Sequence, residues 1–307
     1  MLVNIFSNLS LYLCDNAPMT DWEDLRFFAS LARAGSLSGA ARELRVDHAT
    51  VGRRVAALER ALSVRLVDRL PRHSPLTAEG AALAALARDM ERIVHTIERR
   101  AKAVAISPAT IVRIAAPPAV AARLIAPHVV EFHRANPDVT LVLLGASQNA
   151  SLDRGEADIA LRLSRPTEKS LLIRRIGVMR FALYGRPEIA AKPPERWSFI
   201  AYDAALDHVP QQIWLRSILD GRQVVFQASD LFGQVEAARA GLGVAVLPHF
   251  MGDGDAALVC LPTDRKPPTR DLWIAAYPDL ARAPAVRTVM NFLTETIGKA
   301  CPTRISR

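Results

Sequence analysis

The sequence predicts a multidomain protein with α and α/β parts: an N-terminal winged helix-turn-helix, a long linker helix and a C-terminal two-lobed α/β domain. Three observations predict this organisation. Three short helical patterns follow one another from Asp21 to Leu62, an uninterrupted helical pattern runs from Ala78 to about Val104, and strand and helix patterns alternate from Ile111 onward. A chain of 307 residues is long enough to bury two or three separate cores.

The composition is that of an ordinary globular protein with an excess of positive charge. Half of the residues are hydrophobic and 23% are charged, which excludes a disordered or fibrous chain. Lys and Arg number 39 against 31 Asp and Glu, which gives a net charge of +8. Such a charge favours a polyanionic partner, although a basic surface also serves solubility alone.

Cysteine usage and the N-terminus favour a cytoplasmic protein. Cys14, Cys260 and Cys301 are too few and too far apart for a disulfide framework or a thiolate metal site. Cys260 is expected to be a buried core thiol, with redox sensing as a minor alternative. Residues 1–18 contain no Lys or Arg, so they lack the positive segment of a signal peptide and are expected to form a loose extension. No apolar run is long enough to cross a membrane, so no membrane partner is expected.

Residues 19–77 are predicted to form the winged helix-turn-helix. The first helix ends at Ala34-Gly35, Ser36 caps a short second helix, and Asp47 caps a third. The apolar side of the third helix consists of Val51, Val55, Leu58 and Leu62. This side is predicted to pack on the two preceding helices, which leaves the opposite side free.

The opposite side of the third helix has the properties of a DNA-reading surface. It carries Thr50, Arg53 and Arg54, and a recognition helix needs short and forked polar side chains that reach bases and phosphates in the major groove. His48 and Thr50 are predicted to read bases. Gly52, which costs a helix about 1 kcal/mol relative to Ala, suggests close approach of another molecule to the backbone. A solvated helix face is the commoner meaning of a charge run, but we do not accept it for the whole face.

A wing is predicted from two short extended pieces around a turn, Arg65–Arg69 and Arg72–Leu76. Eight arginines against four acids between residues 42 and 72 give the charge density that phosphate contacts need. The predicted DNA contacts of the helices and wing are Ser36, His48, Ala49, Thr50, Gly52, Arg53, Arg54, Arg69 and Arg72.

Residues 78–107 are predicted to form a linker helix that pairs with a second copy of the chain. Thr77 is its expected N-cap, and Glu79 in the first turn suits the helix dipole. Apolar residues recur along it at spacings of three and four: Leu83, Leu86, Met90, Ile93 and Ile97. Such a seam favours a homodimer. Packing of the seam on the chain's own C-terminal domain is the weaker alternative, because the helix would span about 40 Å.

Residues 108–307 are predicted to form an α/β domain with a ligand cleft. Strand and helix patterns alternate from Ile111 to Arg162, and a second set follows from Leu171 to Pro248. This alternation predicts parallel strands, which bind ligands beyond their carboxyl ends. Late elements, a strand at Trp273–Tyr277 and a helix at Val286–Ile297, are expected to return to the first set. The expected lobes comprise about 108–166 with 269–300, and about 167–268.

The stretch from Leu25 through Gly80 resembles the winged helix-turn-helix of LysR-type transcriptional regulators. The matching residues are Phe28, Ser36, Ala40, Ala41, Leu44, Val46, Val51, Arg53, Val55, Leu58, Glu59, Leu62, Leu66, Arg69, Leu76, Thr77, Glu79 and Gly80. Gly52 stands where the family usually has Ser, Ser63 where it has Gly, and Val67 where it has Phe. The second half is similar to the family's effector-binding domain, itself like periplasmic solute-binding proteins, chiefly at residues 132–137, 155–160 and 240–245.

The resemblance implies a sequence-specific regulator of transcription that is controlled by a small-molecule effector in the cleft between the lobes. The expected partners are double-stranded DNA with an interrupted inverted repeat in a promoter and further copies of the chain, as a homodimer that assembles into a homotetramer. Neither enzymatic activity, nor a cofactor, nor a metal is expected. By family position the effector-binding residues are Pro117, Pro118, Ser147, Gln148, Arg162, Ser164, Ser229 and Val244.

The first strand-helix junction of this domain is expected to bind anions poorly. Helix N-termini hold carboxylates through free backbone N–H groups, and neither Pro117 nor Pro118 has one. We therefore expect an acidic group of an effector to be held at Ser147-Gln148 and by Arg162. An ordinary surface ion pair of Arg162 is an equally good interpretation.

The competing interpretations are an enzyme, or a cytoplasmic or exported solute-binding protein, whose basic N-terminal helices are only structural. Gly241-Leu242-Gly243 lacks the third glycine of a dinucleotide-binding loop, and the seven histidines show no metal-ligand spacing. No nucleophile elbow or phosphate-binding loop occurs. The arginine-bearing helix at residues 47–60 argues against a solute-binding protein.

Overall fold

The computed structural model describes residues 21–68, 73–104, 110–145, 152 and 155–303. The chain divides into two compact units, the first ending at Ile97 and the second beginning at Glu98. Each unit has a hydrophobic core of its own. The predicted fold class is confirmed: a helix-turn-helix with a wing, a long helix and an α/β domain follow one another along the chain.

Among the described residues, the first unit contains three helices and the larger part of a fourth, and each begins at a capping residue in the sequence. They are α1 (Trp22–Ala34), α2 (Leu37–Leu44), α3 (His48–Leu62) and α4 (Ala78–Val104). Gly35 ends α1 in the left-handed conformation with φ +65°, and the Ser36 hydroxyl accepts the N–H of Gly39 at 3.1 Å to begin α2. The Thr77 hydroxyl accepts the N–H of Gly80 at 2.9 Å, which confirms the predicted cap of α4.

Helices α1 to α3 and the first turns of α4 enclose the core of the first unit. Phe28, Leu58 and Leu66 are fully buried in it, and Phe27 and Leu31 of α1 also belong to it although the sequence pattern did not single them out. An ion-pair network also links the helices: the Arg33 guanidinium donates to Glu43 of α2 at 2.5 Å and to Glu91 of α4 at 2.6 Å.

The described part of the wing is fixed to both α3 and α4. Val67 and Leu76 form an antiparallel bridge, and Glu59 of α3 accepts the backbone N–H groups of Leu66 and Val67 at 2.8 and 3.2 Å. Gly80 of α4 lies so close to this segment that a Cβ on it would stand 2.0 Å from the Leu66 carbonyl oxygen. The wing base and α4 therefore pack backbone to backbone at this point.

The second unit is built on a mixed sheet in which the described residues supply nine strands. These are β1 (Thr110–Ala116), β2 (Val139–Gly145), β3 (Ile159–Arg162), β4 (Leu172–Gly185), β5 (Phe199–Tyr202), β6 (Val224–Ala228), β7 (Val244–Pro248), β8 (Val259–Leu261) and β9 (Thr269–Ala276). The order is β2-β1-β3-β9-β4-β7-β5-β6, with β8 paired to β4. The predicted parallel pairing holds for β1 with β2 and β3 and for β5 with β6 and β7, whereas β4 and β9 pair antiparallel with their neighbours.

Helices pack against the strands of the sheet. They are α5 (Pro118–Val120), α6 (Val129–Ala135), α7 (Pro187–Ala190), α8 (Pro210–Ile218), α9 (Leu231–Arg239), α10 (His249–Gly252), α11 (Pro278–Arg282) and α12 (Pro284–Ala300). The helical segment between β1 and β2 is irregular, with a π turn at Ala121–Ile125 and a 3-10 turn at Ala126–His128 between α5 and α6. Pro127 lies within the 3-10 turn, and it lacks the N–H that a regular α-helix would require there.

Strand β4 belongs to both lobes of the second unit. Its residues up to Arg180 pair with β9, and its residues from Phe181 onward pair with β7 and β8. The late helix α12 packs on β1 and β4.

The expectation that Cys260 is a buried core thiol is wrong. Cys260 is exposed, because the side chains of β8 alternate, so that Leu261 faces the core and Cys260 faces outward. Within the described residues, none of the helices combines the length and apolar character that a bilayer crossing requires.

Candidate nucleic-acid interface and ligand cleft

Helix α3 buries one side and exposes the other, as predicted. Val51, Val55 and Leu58 are 0%, 3% and 0% exposed and pack in the core of the first unit. His48, Ala49 and Arg53 are exposed on the other side. The helix therefore presents a polar surface on a rigid hydrophobic support.

A chain of hydrogen bonds runs along the exposed side of α3 from its N-cap. Asp47 accepts the backbone N–H of Thr50 at 2.7 Å, and its second carboxylate oxygen accepts the Thr50 hydroxyl at 2.8 Å. The same hydroxyl oxygen accepts Nη2 of Arg53 at 3.0 Å. The side-chain hydrogen bond from Thr50 is the largest cause that lowers the pKa of Asp47, which keeps the cap ionised.

Arg54 is turned toward α1. Its Nη1 donates to Asp21 at 3.2 Å and to Asp24 at 3.1 Å, and its guanidinium lies 5.9 Å from the centre of the Phe27 ring. The hydrogen bond to Asp24 is the largest cause that raises the pKa of Arg54. Arg53 and Arg54 are neighbours in sequence, but only Arg53 points away from the supporting helices.

The remaining predicted DNA contacts fall in three places. The hydroxyl of Ser36 is occupied as the N-cap of α2. Gly52 faces open space, since a Cβ built on it would meet no atom within 4 Å. Arg69 and Arg72 lie outside the described residues.

A second exposed surface of the first unit is apolar and lies on α4. Leu86, Met90, Ile93 and Ile97 are 59%, 40%, 61% and 64% exposed. Leu83, at the start of the same predicted seam, instead packs partly against the core of the first unit. We call Leu86, Met90, Ile93 and Ile97 the α4 stripe.

On the first lobe, predicted ligand residues lie at the carboxyl ends of β1 and β3. Pro117 precedes α5 and Pro118 begins it, so the junction lacks two backbone N–H donors, as expected. Arg162 ends β3 and is half-buried, and burial lowers its pKa against the attraction of Glu168. Ser164 is exposed two residues further on. Ser147 and Gln148 lie outside the described residues.

On the second lobe, the two predicted residues differ. Ser229 is exposed directly after β6. Val244 is 0% exposed and belongs to the hydrophobic core, so its side chain is not accessible to a ligand in this structure.

Three polar residues that the sequence did not single out lie near the carboxyl end of β5. Tyr202 ends β5 and is 7% exposed, and burial raises its pKa to about 12 against a hydrogen bond from Gln211. Gln211 is 4% exposed, and its Oε1 is buried without a hydrogen-bond partner in the described part of the chain. Arg270 of β9 lies near Tyr202, and burial lowers its pKa.

A sequence signal for Arg270 existed. In β9, side chains alternate between the two faces of the strand, and Leu272, Ile274 and Ala276 face the core. Arg270 lies two residues before Leu272 and therefore on the same face. An arginine at the end of such a core-facing series indicates a cation at the edge of a buried surface.

The described residues hold no group of three His, Cys, Asp or Glu side chains placed to bind a metal ion.

Comparisons with known proteins match both the N-terminal and the C-terminal part of the chain. A family model described as "LysR substrate binding domain" matches residues 106–298, and one described as "Bacterial regulatory helix-turn-helix protein, lysR family" matches residues 22–81. The chain is 30% identical over 279 residues to the Mau operon transcriptional activator of Paracoccus denitrificans. The aligned residues cover 90% of this chain and 96% of that protein.

A second relative has a solved structure. The chain is 27% identical over 292 residues to the HTH-type transcriptional regulator CrgA of Neisseria meningitidis serogroup C, with 91% of this chain and 98% of that protein covered. The structure of CrgA, a LysR-type transcriptional regulator from Neisseria meningitidis, matches with a TM-score of 0.55 at 25% identity and covers 91% of this chain and 100% of that one.

Proposed function

The chain belongs to the LysR family of bacterial transcriptional regulators, and we propose that it reads promoter DNA with α3 while a small molecule controls it from the cleft between its lobes. It is a DNA-binding transcriptional regulator with an effector-binding domain. The observation that supports the role of α3 is its division into a buried stripe and an exposed side with an outward-pointing arginine.

We propose that residues 19–77 form the DNA-binding domain, 78–107 the linker and 108–307 the effector-binding domain. Among the predicted DNA contacts, His48, Ala49 and Arg53 are exposed and are proposed to enter the major groove. Arg69 and Arg72 of the wing are proposed to contact phosphates. Arg54 is proposed to stabilise the packing of α3 on α1 rather than to contact DNA, since it already forms ion pairs with Asp21 and Asp24.

The chain oligomerises as members of its family do, and we propose that the α4 stripe is the dimer contact. Four large apolar side chains at heptad-like spacing are exposed along one line of α4, and burying them against a second copy would remove them from water. A two-fold dimer places two copies of α3 for successive major grooves, which fits an interrupted inverted repeat. Two such dimers are proposed to form the homotetramer.

For the effector we propose a small molecule that carries an acidic group. Arg162 and Arg270 supply two partly buried guanidinium groups whose charge burial disfavours, and a carboxylate would offset that cost. Ser147-Gln148 is proposed to contribute hydroxyl and amide donors. Ser164 and Ser229 are proposed to line the cleft. The protein is proposed to act in the cytoplasm, and by binding rather than by catalysis.

The experiment that tests the proposed function is salt-dependent DNA binding. The full-length protein is titrated by fluorescence anisotropy with a duplex from the region upstream of its own coding sequence, and with a duplex of the same length and scrambled sequence. We expect the upstream duplex to bind more tightly, with an affinity that falls steeply as salt rises. Equal affinity for the two duplexes would contradict sequence-specific binding.

A further inference from the structure

Thr50 has no hydrogen left to donate to a base. A threonine hydroxyl has a single O–H donor, and that donor is directed to the Asp47 carboxylate at 2.8 Å. Its oxygen accepts Nη2 of Arg53 at 3.0 Å. The hydroxyl therefore connects the N-cap of α3 to the guanidinium one turn further along, which differs from the base-reading role predicted from the sequence.

This connection restrains a side chain that would otherwise be mobile. An exposed arginine has about 2 kcal/mol of rotamer entropy to lose when it is fixed, and a group already held in place loses less of it on binding. Guanidinium carries five N–H donors, and Thr50 uses one of them. The remaining donors are sufficient for a bidentate contact with O6 and N7 of guanine.

Arg54 provides the contrast within the same helix. Its guanidinium is committed to Asp21 and Asp24, which belong to the supporting α1. Among the described residues, the one hydrogen-bond partner of Arg53 is Thr50, and Arg53 is exposed. Of the two adjacent arginines, Arg53 is therefore the one available to a base.

We propose that Thr50 is a positioning residue that holds Arg53 for a bidentate contact with one guanine in each half-site of the DNA. The proposal rests on the proposed DNA-binding function. It assigns base discrimination to Arg53 and the orientation of Arg53 to Thr50. The Asp47 carboxylate anchors the pair at the helix N-terminus.

The test combines protein variants with base analogues. Each guanine of the bound upstream duplex is replaced in turn by 7-deazaguanine, which lacks the N7 acceptor but pairs normally. The unmodified protein is expected to lose about 5- to 20-fold in affinity at one guanine per half-site, which is the contribution of a good base contact. Arg53→Ala is expected to bind the unmodified duplex more weakly and to show no further loss at that guanine.

Thr50 is tested with Thr50→Val, which keeps the shape of the side chain, and with Thr50→Ser, which keeps the hydroxyl. We expect Thr50→Val to lose about 2- to 10-fold in affinity, as for removal of one hydrogen bond, and to shrink the 7-deazaguanine penalty. Thr50→Ser should retain both. The double variant Thr50→Val with Arg53→Ala should bind no more weakly than Arg53→Ala alone.

The possible outcomes test the guanine contact of Arg53 and the positioning role of Thr50 separately. If no guanine shows a penalty that disappears in Arg53→Ala, the base contact is wrong. If Thr50→Val retains the full penalty, or the double variant loses the sum of both effects, the positioning role is wrong. If the unmodified protein does not distinguish the upstream duplex from the scrambled one, the proposed function itself fails. Circular dichroism of each variant confirms that α3 is folded.

Discussion

The exposed faces of α3 and α4 are neighbours in sequence but offer opposite chemistry to a partner. On α3 the exposed side carries His48 and Arg53, and a hydrogen-bonded chain holds the arginine outward. On α4 the exposed α4 stripe is large and apolar, and it reaches 64% exposure at Ile97. The first surface suits an anionic, hydrated partner, and the second suits an apolar one.

The two surfaces bind their partners by different interactions, electrostatic on α3 and hydrophobic on α4. Contacts of α3 with phosphates and bases weaken as salt rises, because released counterions drive them. Contacts of the α4 stripe depend on apolar area removed from water and respond little to salt. The two surfaces can therefore be tested independently by mutation.

The largest expected effect comes from placing charge in the α4 stripe. Ile93→Glu together with Ile97→Glu would put two carboxylates into the proposed dimer contact, so the variant should sediment as a smaller assembly than the unmodified protein. Affinity for the upstream duplex should fall by about 100-fold or more, because the two half-sites would no longer be bound together. Analytical ultracentrifugation and fluorescence anisotropy measure the two effects.

The matched control for this pair is Ala85→Glu. Ala85 is exposed on α4 but lies off the stripe, so an added carboxylate there should leave both the sedimentation and the DNA affinity unchanged. An Ile93→Glu, Ile97→Glu variant that sediments like the unmodified protein would show that the dimer uses another surface.

The next largest effect is expected on stability, when a glycine of α3 or of α4 is replaced by alanine. Gly80→Ala should lower the free energy of unfolding by about 1–3 kcal/mol, because the new methyl group would collide with the Leu66 carbonyl oxygen. Gly52→Ala should raise it by about 0.5–1 kcal/mol, because Gly52 faces open space and alanine favours helix. Chemical denaturation followed by circular dichroism checks both, and equal shifts in the same direction would contradict the packing described.

A smaller effect is expected at Arg54. Arg54→Ala removes the ion pairs with Asp21 and Asp24, in which Asp24 is mostly buried and Arg54 is partly exposed. The free energy of unfolding should fall only slightly, because ion pairs of an exposed guanidinium contribute little to stability. The DNA affinity should change much less than for Arg53→Ala in the same anisotropy assay. A loss of affinity as large as that of Arg53→Ala would place both arginines on the DNA.

The smallest effect is expected at the end of α3. Ser63 adopts the left-handed conformation with φ +53°, which L residues other than glycine adopt at some cost. Ser63→Gly should therefore raise the melting temperature by a few degrees, in line with about 0.5–1 kcal/mol. DNA affinity should be unchanged, and a lower melting temperature would contradict the strain at this position.

The sequence was sufficient where local rules decide the structure. Gly35, Ser36, Asp47 and Thr77 mark helix ends by capping chemistry, and each lies where it was predicted. The buried side of α3 followed from its spacing of apolar residues. These features depend only on neighbours within a few positions along the chain.

The sequence was insufficient where distant residues decide the structure. The partners of Arg54 lie about thirty positions away, so the pattern on α3 alone could not show that Arg54 faces α1. The exposure of Cys260 depends on which face of β8 is covered by distant parts of the chain. The buried position of Val244 depends on helices packed from elsewhere in the second unit.

The contact between Gly80 and the Leu66 carbonyl has a mechanical consequence. Arg33 adds hydrogen bonds to Glu43 of α2 and to Glu91 of α4, so α4 is connected to both the wing base and α2. A rotation of α4 about its own axis is therefore expected to carry these elements of the first unit with it. Such a rotation would change the direction in which α3 presents Arg53 to the DNA.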